Sequence, residues 1–227
     1  MSDFKIVPLS KIKSNLLRNL KNIVKKHLNK TVIDGVAIMG YNGKKIKTCK
    51  ISLDDGTFLR FDRKNQKEIT RLQMMAVENG IEIPKVVLCV RGYKFSEWID
   101  GFMLRDVCNI GEAYIKFGEV VARLNNVKDP RNNNFLQNAD INSTNVIWTE
   151  DKKIYIIDHG KLKTSPRPDT SVRTILLKRI SEKERIDAFL KGYSKYRNID
   201  KIIELLDKHN WRWKDRILRT NMKPLQY

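Results

Sequence analysis

The chain has 227 residues, enough for one large domain or two small lobes, and its 41% hydrophobic and 8% aromatic content supports a packed core and argues against global disorder. Its 45 Lys and Arg against 26 Asp and Glu give a net charge of +19, which favours anionic partners (nucleotides, nucleic acid, acidic lipid, phosphorylated glycans) without choosing among them. No apolar run reaches the roughly 18 residues of a membrane span, residues 1–10 hold no apolar signal core, and Cys49, Cys89 and Cys108 form no CxxC pair, so the expected protein is cytoplasmic, with neither a zinc site nor a disulfide framework.

Residues 10–30 read as a basic amphipathic helix. Leu16, Leu17, Leu20, Ile23, Val24 and Leu28 recur on one face, and Lys11, Lys13, Arg18, Lys21, Lys25 and Lys26 fill much of the rest. Such a helix either packs on the domain with a solvated basic face or touches a membrane surface or nucleic acid. Residues 32–39, 45–53 and 57–62 are rich in β-formers and are separated by Gly40-Tyr41-Asn42-Gly43 and Asp54-Asp55-Gly56, so a three-stranded antiparallel meander is expected. A helix over 64–79 follows, stopped by Gly80, then two strands at 83–88 and 93–98. After Asp100-Gly101 the pattern turns helical. It predicts a helix over 109–126, a polar loop at 128–134 and a small hairpin from 146–148 to 154–157. A two-proline loop at 161–170 and helices at 171–180, 183–196 and 199–208 complete the order, ahead of a basic aromatic tail from Trp211 to Arg219.

Residues 138–160 carry the chemistry. Asn145 lies five residues after Asp140, an apolar hairpin follows, and Asp158 closes it in Ile156-Ile157-Asp158-His159-Gly160, eighteen residues after Asp140. Phosphoryl transfer needs little more than this: a divalent metal on hard oxygen ligands, a carboxylate beside the acceptor hydroxyl, and positive charge on the phosphates. The segment resembles the catalytic centre of the protein-kinase-like superfamily. Glu97-Trp98-Ile99-Asp100-Gly101 is similar to the hinge of aminoglycoside-phosphotransferase-like and lipopolysaccharide-core (Kdo/heptose) kinases. The helix around Lys67–Leu72, the strand near Val86 and Phe189-Leu190-Lys191-Gly192-Tyr193 resemble the same group.

The resemblance implies an α+β, two-lobed fold with a small antiparallel-sheet N-lobe holding one main helix and a mostly helical C-lobe. The expected division is an extension over 1–30, an N-lobe over 31–97 and a C-lobe over 98–227. By the same resemblance Asp140 is the base or acceptor-positioning carboxylate, and Asn145 and Asp158 bind Mg²⁺ against the phosphates of ATP. Arg60, or Lys50 in its place, meets the phosphates. Glu68 pairs with a cation on the strand before it, and Glu97, Trp98 and Ile99 line the adenine pocket. The departures are Asn138 where relatives carry His, His159 in place of Phe, and Arg60 in place of Lys.

No Ala-Pro-Glu follows Asp158, and Ala139 stands where regulated protein kinases carry Arg. The expected activity is therefore an ATP-dependent kinase acting on a sugar hydroxyl of a glycan or glycolipid, as in lipopolysaccharide biosynthesis. Peripheral membrane contact would run through residues 10–30, at the inner face of the membrane. The alternatives are a small atypical protein kinase without an activation segment, and a pseudokinase scaffold or nucleic-acid-binding protein.

Overall fold

Strand β1 (Ile6–Pro8) pairs antiparallel with β2 (Val32–Met39), Val7 opposite Ala37. This computed structural model describes residues 6–11, 14–39, 46–62, 67–90, 92–178, 180, 182–200, 202 and 204. The expected turn at 40–43, most of the helix at 199–208 and the tail from Trp211 to Arg219 lie outside them. Two compact units emerge, one of Met1–Thr70 with Pro84–Trp98, the other of Arg71–Ile83 with Ile99–Tyr227.

The first unit is built on a six-stranded antiparallel sheet in the order β1-β2-β3-β4-β6-β5, with β3 (Ile46–Leu53), β4 (Phe58–Asp62), β5 (Val86–Val90) and β6 (Tyr93–Glu97). Period-two alternation gives the sheet two faces. Ala37, Cys49, Ile51, Leu59, Phe61 and Phe95 are buried on one, where Leu20 and Val24 of helix α1 (Ser14–Leu28) join them at 0% exposure. Burial pushes the Cys49 thiol up to about 12, so it packs as a small apolar group. The helix begins later than residue 10, because Leu9 starts a short 3₁₀ turn and is itself buried in this core. The strand expected from residue 83 begins at Val86, after Pro84, which has no N–H to donate to a ladder.

Helix α2 (Lys67–Glu78) carries the chain into the second unit. There Leu72, Met75 and Ala76 are buried, and Arg71 binds Asp129 through two bonds of 3.1 and 2.5 Å. That guanidinium holds the Asp129 carboxyl below its ordinary range.

The core of the second unit is the crossing of α3 (Ile110–Leu124) and α5 (Lys183–Tyr193), filled by Tyr114, Phe117, Phe189 and Tyr193. Gly118 and Gly192 set the approach. A Cβ on Gly118 would collide with the Phe189 carbonyl, and one on Gly192 with the Ile115 carbonyl. Helix α4 (Asp169–Lys178) is tied to the end of α5 by a buried cluster. Arg197 binds both oxygens of Asp169 at 2.9 and 3.1 Å, and the Tyr193 hydroxyl donates to Asp169 at 2.6 Å.

Besides β1, three short strands of the second unit escaped the sequence pattern. β7 (Phe102–Met103) adds a third strand to the hairpin of β9 (Val146–Trp148) and β10 (Ile154–Ile156). β8 (Phe135–Asn138) pairs with β11 (Leu162–Ser165), so the loop expected at 161–170 opens as a strand.

Candidate active site

Two small sheets of the second unit clamp the segment from both sides. In the hairpin, Ile156 faces Val146, which brings the residue before β9 alongside the residue after β10. The Ile157 N–H accordingly donates to the Asn145 carbonyl at 2.9 Å, and Asp158 is next in the chain. In the other pair Leu162 faces Asn138, and the Ala139 N–H donates to the Lys161 carbonyl at 3.3 Å. The loops 139–145 and 157–161 are therefore held edge to edge, with Asp140 on one and Asp158 on the other.

Asparagine amides fix the interior of this arrangement. Asn138 is 1% exposed; its Nδ2 donates to the Asp158 carbonyl at 2.8 Å and its Oδ1 accepts the Asp140 N–H at 3.0 Å. One side chain thus ties both loops, the place where relatives were expected to carry His. The Asp140 carbonyl accepts from Asn142 Nδ2 and Asn145 Nδ2, each at 3.0 Å. Asn142 Oδ1 in turn accepts the Thr144 N–H at 2.8 Å. His159, 5% exposed, turns its ring inward. Its Nε2 meets the Ile156 carbonyl at 2.6 Å, and since a carbonyl only accepts, Nε2 carries the proton.

The donor set suits a hard cation. The Asn145 amide nitrogen donates to the Asp140 carbonyl, so Oδ1 is the atom of that side chain that could ligate a metal. Asp158 is half-buried, and its Oδ1 accepts the neutral backbone N–H of Gly160 at 3.1 Å, a bond that does not neutralise its negative charge. One carboxylate and one amide oxygen match Mg²⁺, which takes few protein ligands and completes its shell with phosphate and water. No group of three His, Cys, Asp or Glu poised for a metal occurs among the described residues. Asp140 keeps 27% of its side chain exposed, and Lys161 Nζ stands 3.6 Å from its Oδ2.

In the first unit, Lys50 and Arg60 lie on the sheet face opposite that of Ile51 and Leu59, away from α1. Lys50 and Arg60 are direct cross-strand neighbours. Lys50 Nζ sits over the Phe58 and Trp98 rings, 4.3 and 4.8 Å from their centroids. Arg60 Nε donates to both oxygens of Asp62 at 3.1 Å, and Lys94 approaches Asp62 at 3.7 Å. The Glu97 N–H donates to the Lys85 carbonyl at 3.0 Å and the Trp98 N–H to the Phe58 carbonyl at 3.3 Å. Those two backbone donors are committed to the sheet, which narrows the adenine-lining role expected of Glu97 and Trp98 to their carbonyls and side chains. Glu68 lies exposed in the first turn of α2, and Ile99 falls in the second unit.

Sequence reasoning did not single out Asn142 or Lys161. The signal for Asn142 is its place in the run Asn138, Asn142 and Asn145 around Asp140. For Lys161 it is a cation three residues after Asp158, at the mouth of β11.

The sequence matches the family described as ABC1 atypical kinase-like domain over residues 13–186. The chain belongs to the ABC1 atypical kinase-like family. The match contains Asp140, Asn145 and Asp158, and the family gives the chain its class, an ATP-dependent kinase-type enzyme with a hydroxyl acceptor. No curated protein matches the sequence. Among solved structures, this ABC1-family fold is similar to spectinomycin phosphotransferase in complex with ADP and spectinomycin. The identity is 14%, the TM-score 0.63, and 90% of this chain and 89% of that one are covered. Choline kinase of Streptococcus pneumoniae is similar at 13% identity and a TM-score of 0.60, covering 79% and 80%. Ethanolamine kinase of Plasmodium vivax is similar at 12% identity and a TM-score of 0.59, covering 86% and 78%. At these identities the likeness establishes the two-lobed α+β kinase-like fold. Among the described residues of this ABC1-family chain, no helix is long and apolar enough to cross a membrane.

Proposed function

We propose that the chain transfers the γ-phosphate of ATP to a hydroxyl of a small anionic molecule, with the sugar of a glycan or glycolipid as the favoured acceptor class. The observation that carries this reading is the joining of the Asp140 and Asp158 loops through one buried side chain, Asn138. In the proposed step the acceptor O–H gives its proton to Asp140 as the new O–P bond forms. The bond from γ-phosphorus to the bridging oxygen breaks, and its electron pair leaves on ADP. Asn145 Oδ1 and the Asp158 carboxylate would hold Mg²⁺, which when bound would neutralise phosphate charge. Lys161 steadies the Asp140 carboxylate beside the reacting oxygen.

Residues 31–97 take the nucleotide-covering role in this reading. Arg60 and Lys50 supply cations for the phosphates, Glu68 supports them from α2, and Glu97, Trp98 and Ile99 bound the adenine. Residues 98–227 carry the catalytic and metal loops. A small acceptor is supported by the similar folds, which are phosphotransferases or kinases of spectinomycin, choline and ethanolamine. The net charge of +19 supports an anionic one.

The test is transfer of labelled γ-phosphate from Mg-ATP to a panel of sugar phosphates, glycolipids and amino alcohols. Wild type should phosphorylate at least one, and Asp140→Ala and Asp158→Ala should each lose about 10²–10⁴-fold in kcat. Variants that match the wild type would remove the assignment of these residues.

A further inference from the structure

Helix α1 carries a cationic face that the catalytic reading leaves unused. Its apolar side faces the core of the first unit: Leu20 and Val24 are 0% exposed, and Leu16, Leu17, Ile23 and Leu28 are partly buried against the same core. The opposite arc holds Asn15, Arg18, Asn19, Lys21, Asn22, Lys25 and Lys26, all exposed, and the helix contains no Asp or Glu. Arg18 and Asn15 bond each other along this surface at 3.2 Å. Beyond the helix, Lys30 is paired with Asp55 at 2.5 Å and so stands apart from the arc. Arg18, Lys21 and Lys25 form one row, three cations over about 10 Å of helix.

We infer that this face docks on the phosphodiester backbone of a double-stranded nucleic acid. Charge complementarity selects a polyanion, and the packing of α1 selects among polyanions. A helix that lies in a bilayer interface needs a free apolar face, and α1 would have to abandon the core of the first unit to offer one. Single-strand binding relies on aromatic stacking platforms, and the exposed arc has no aromatic residue. What remains is Arg, Lys and Asn at helical spacing, side chains that contact phosphate oxygens and fix position without reading bases. The contact is therefore sequence-independent and governed by counterion release.

The experiment is fluorescence anisotropy of the full chain with a labelled duplex of about 20 base pairs over a salt series. Each phosphate contact contributes about 0.9 to the slope of log K against log salt, so the four arc cations should contribute between 3 and 4. The triple variant Lys21→Gln, Lys25→Gln, Lys26→Gln should lower the slope by about 3, and Arg18→Gln alone by about 1, because Gln keeps helix propensity while removing charge. Both variants should keep the wild-type Tm and the wild-type transfer of phosphate to a small acceptor. Duplex binding with an unchanged slope in the variants would overturn the inference. So would binding to phosphatidylglycerol vesicles that the triple variant loses while the duplex is ignored, or no duplex binding at low salt. None of these outcomes bears on Asp140 or Asp158, so docking and catalysis fail separately.

Discussion

At the scale of single residues, Asn138 does the work of joining two loops with one neutral amide. Truncation to Ala leaves the Asp140 N–H and the Asp158 carbonyl without that partner in a buried site. Asn138→Ala should therefore lose about 1–3 kcal/mol of unfolding free energy, read by urea denaturation. It should also lower kcat more than the KM for ATP, since the two loops lose register while the cations of the first unit are untouched. Equal loss in both constants would argue against a positioning role. The spacing of Asp140, Asn145 and Asp158 was legible because all three sit within one local run. The partner of Asn138 was not, since a carbonyl twenty residues away enters reach only once β8 pairs with β11.

Asp129 behaves differently, because its interaction is ionic. Its folded carboxyl titrates below the ordinary value of 3.8, chiefly through the hydrogen bonds from Arg71. A depressed carboxylate stabilises fully above that ordinary value and loses its contribution as pH falls through it toward the folded value. Urea titrations between pH 7 and 3 should give a steeper loss of stability in wild type than in Asp129→Asn below about pH 4. Parallel curves would contradict the assignment.

At the scale of elements, the α3–α5 crossing depends on two glycines at closest approach. Gly118→Ala places a methyl against the Phe189 carbonyl, where rigid backbone has to move. The expected cost is about 1–3 kcal/mol, seen as a lowered Tm, while Gly111→Ala near the start of the same helix, with nothing within 4 Å of its added Cβ, should leave Tm almost unchanged. The helices and the main strands were readable because each carries an amphipathic period over five or more residues. β7, β8 and β11 span two to four residues, and their pairing is decided by what lies opposite, so the two prolines near Ser165 made that stretch read as loop. Thr170 illustrates the limit: its hydroxyl donates to Gln137 at 3.0 Å, a contact that exists only because β8 and α4 are neighbours in space.

At the scale of the whole molecule, the sheet of one unit supplies a face carrying Lys50, Arg60 and Trp98, and the second unit supplies the clamped carboxylates. Sequence told the order of these pieces and the charge of the chain. It did not tell that the apolar side of α1 is closed against the sheet, since an amphipathic helix reads the same whether its partner is a sheet or a membrane. The central claim, that this ABC1-family chain uses ATP through Asn145 and Asp158, is tested most directly by thermal unfolding with and without Mg-ATP. At a hundred times Kd the nucleotide should stabilise wild type by about 2.7 kcal/mol. The increment should disappear with EDTA and shrink in Asp158→Ala. A wild-type Tm that does not move with Mg-ATP at any concentration would contradict it.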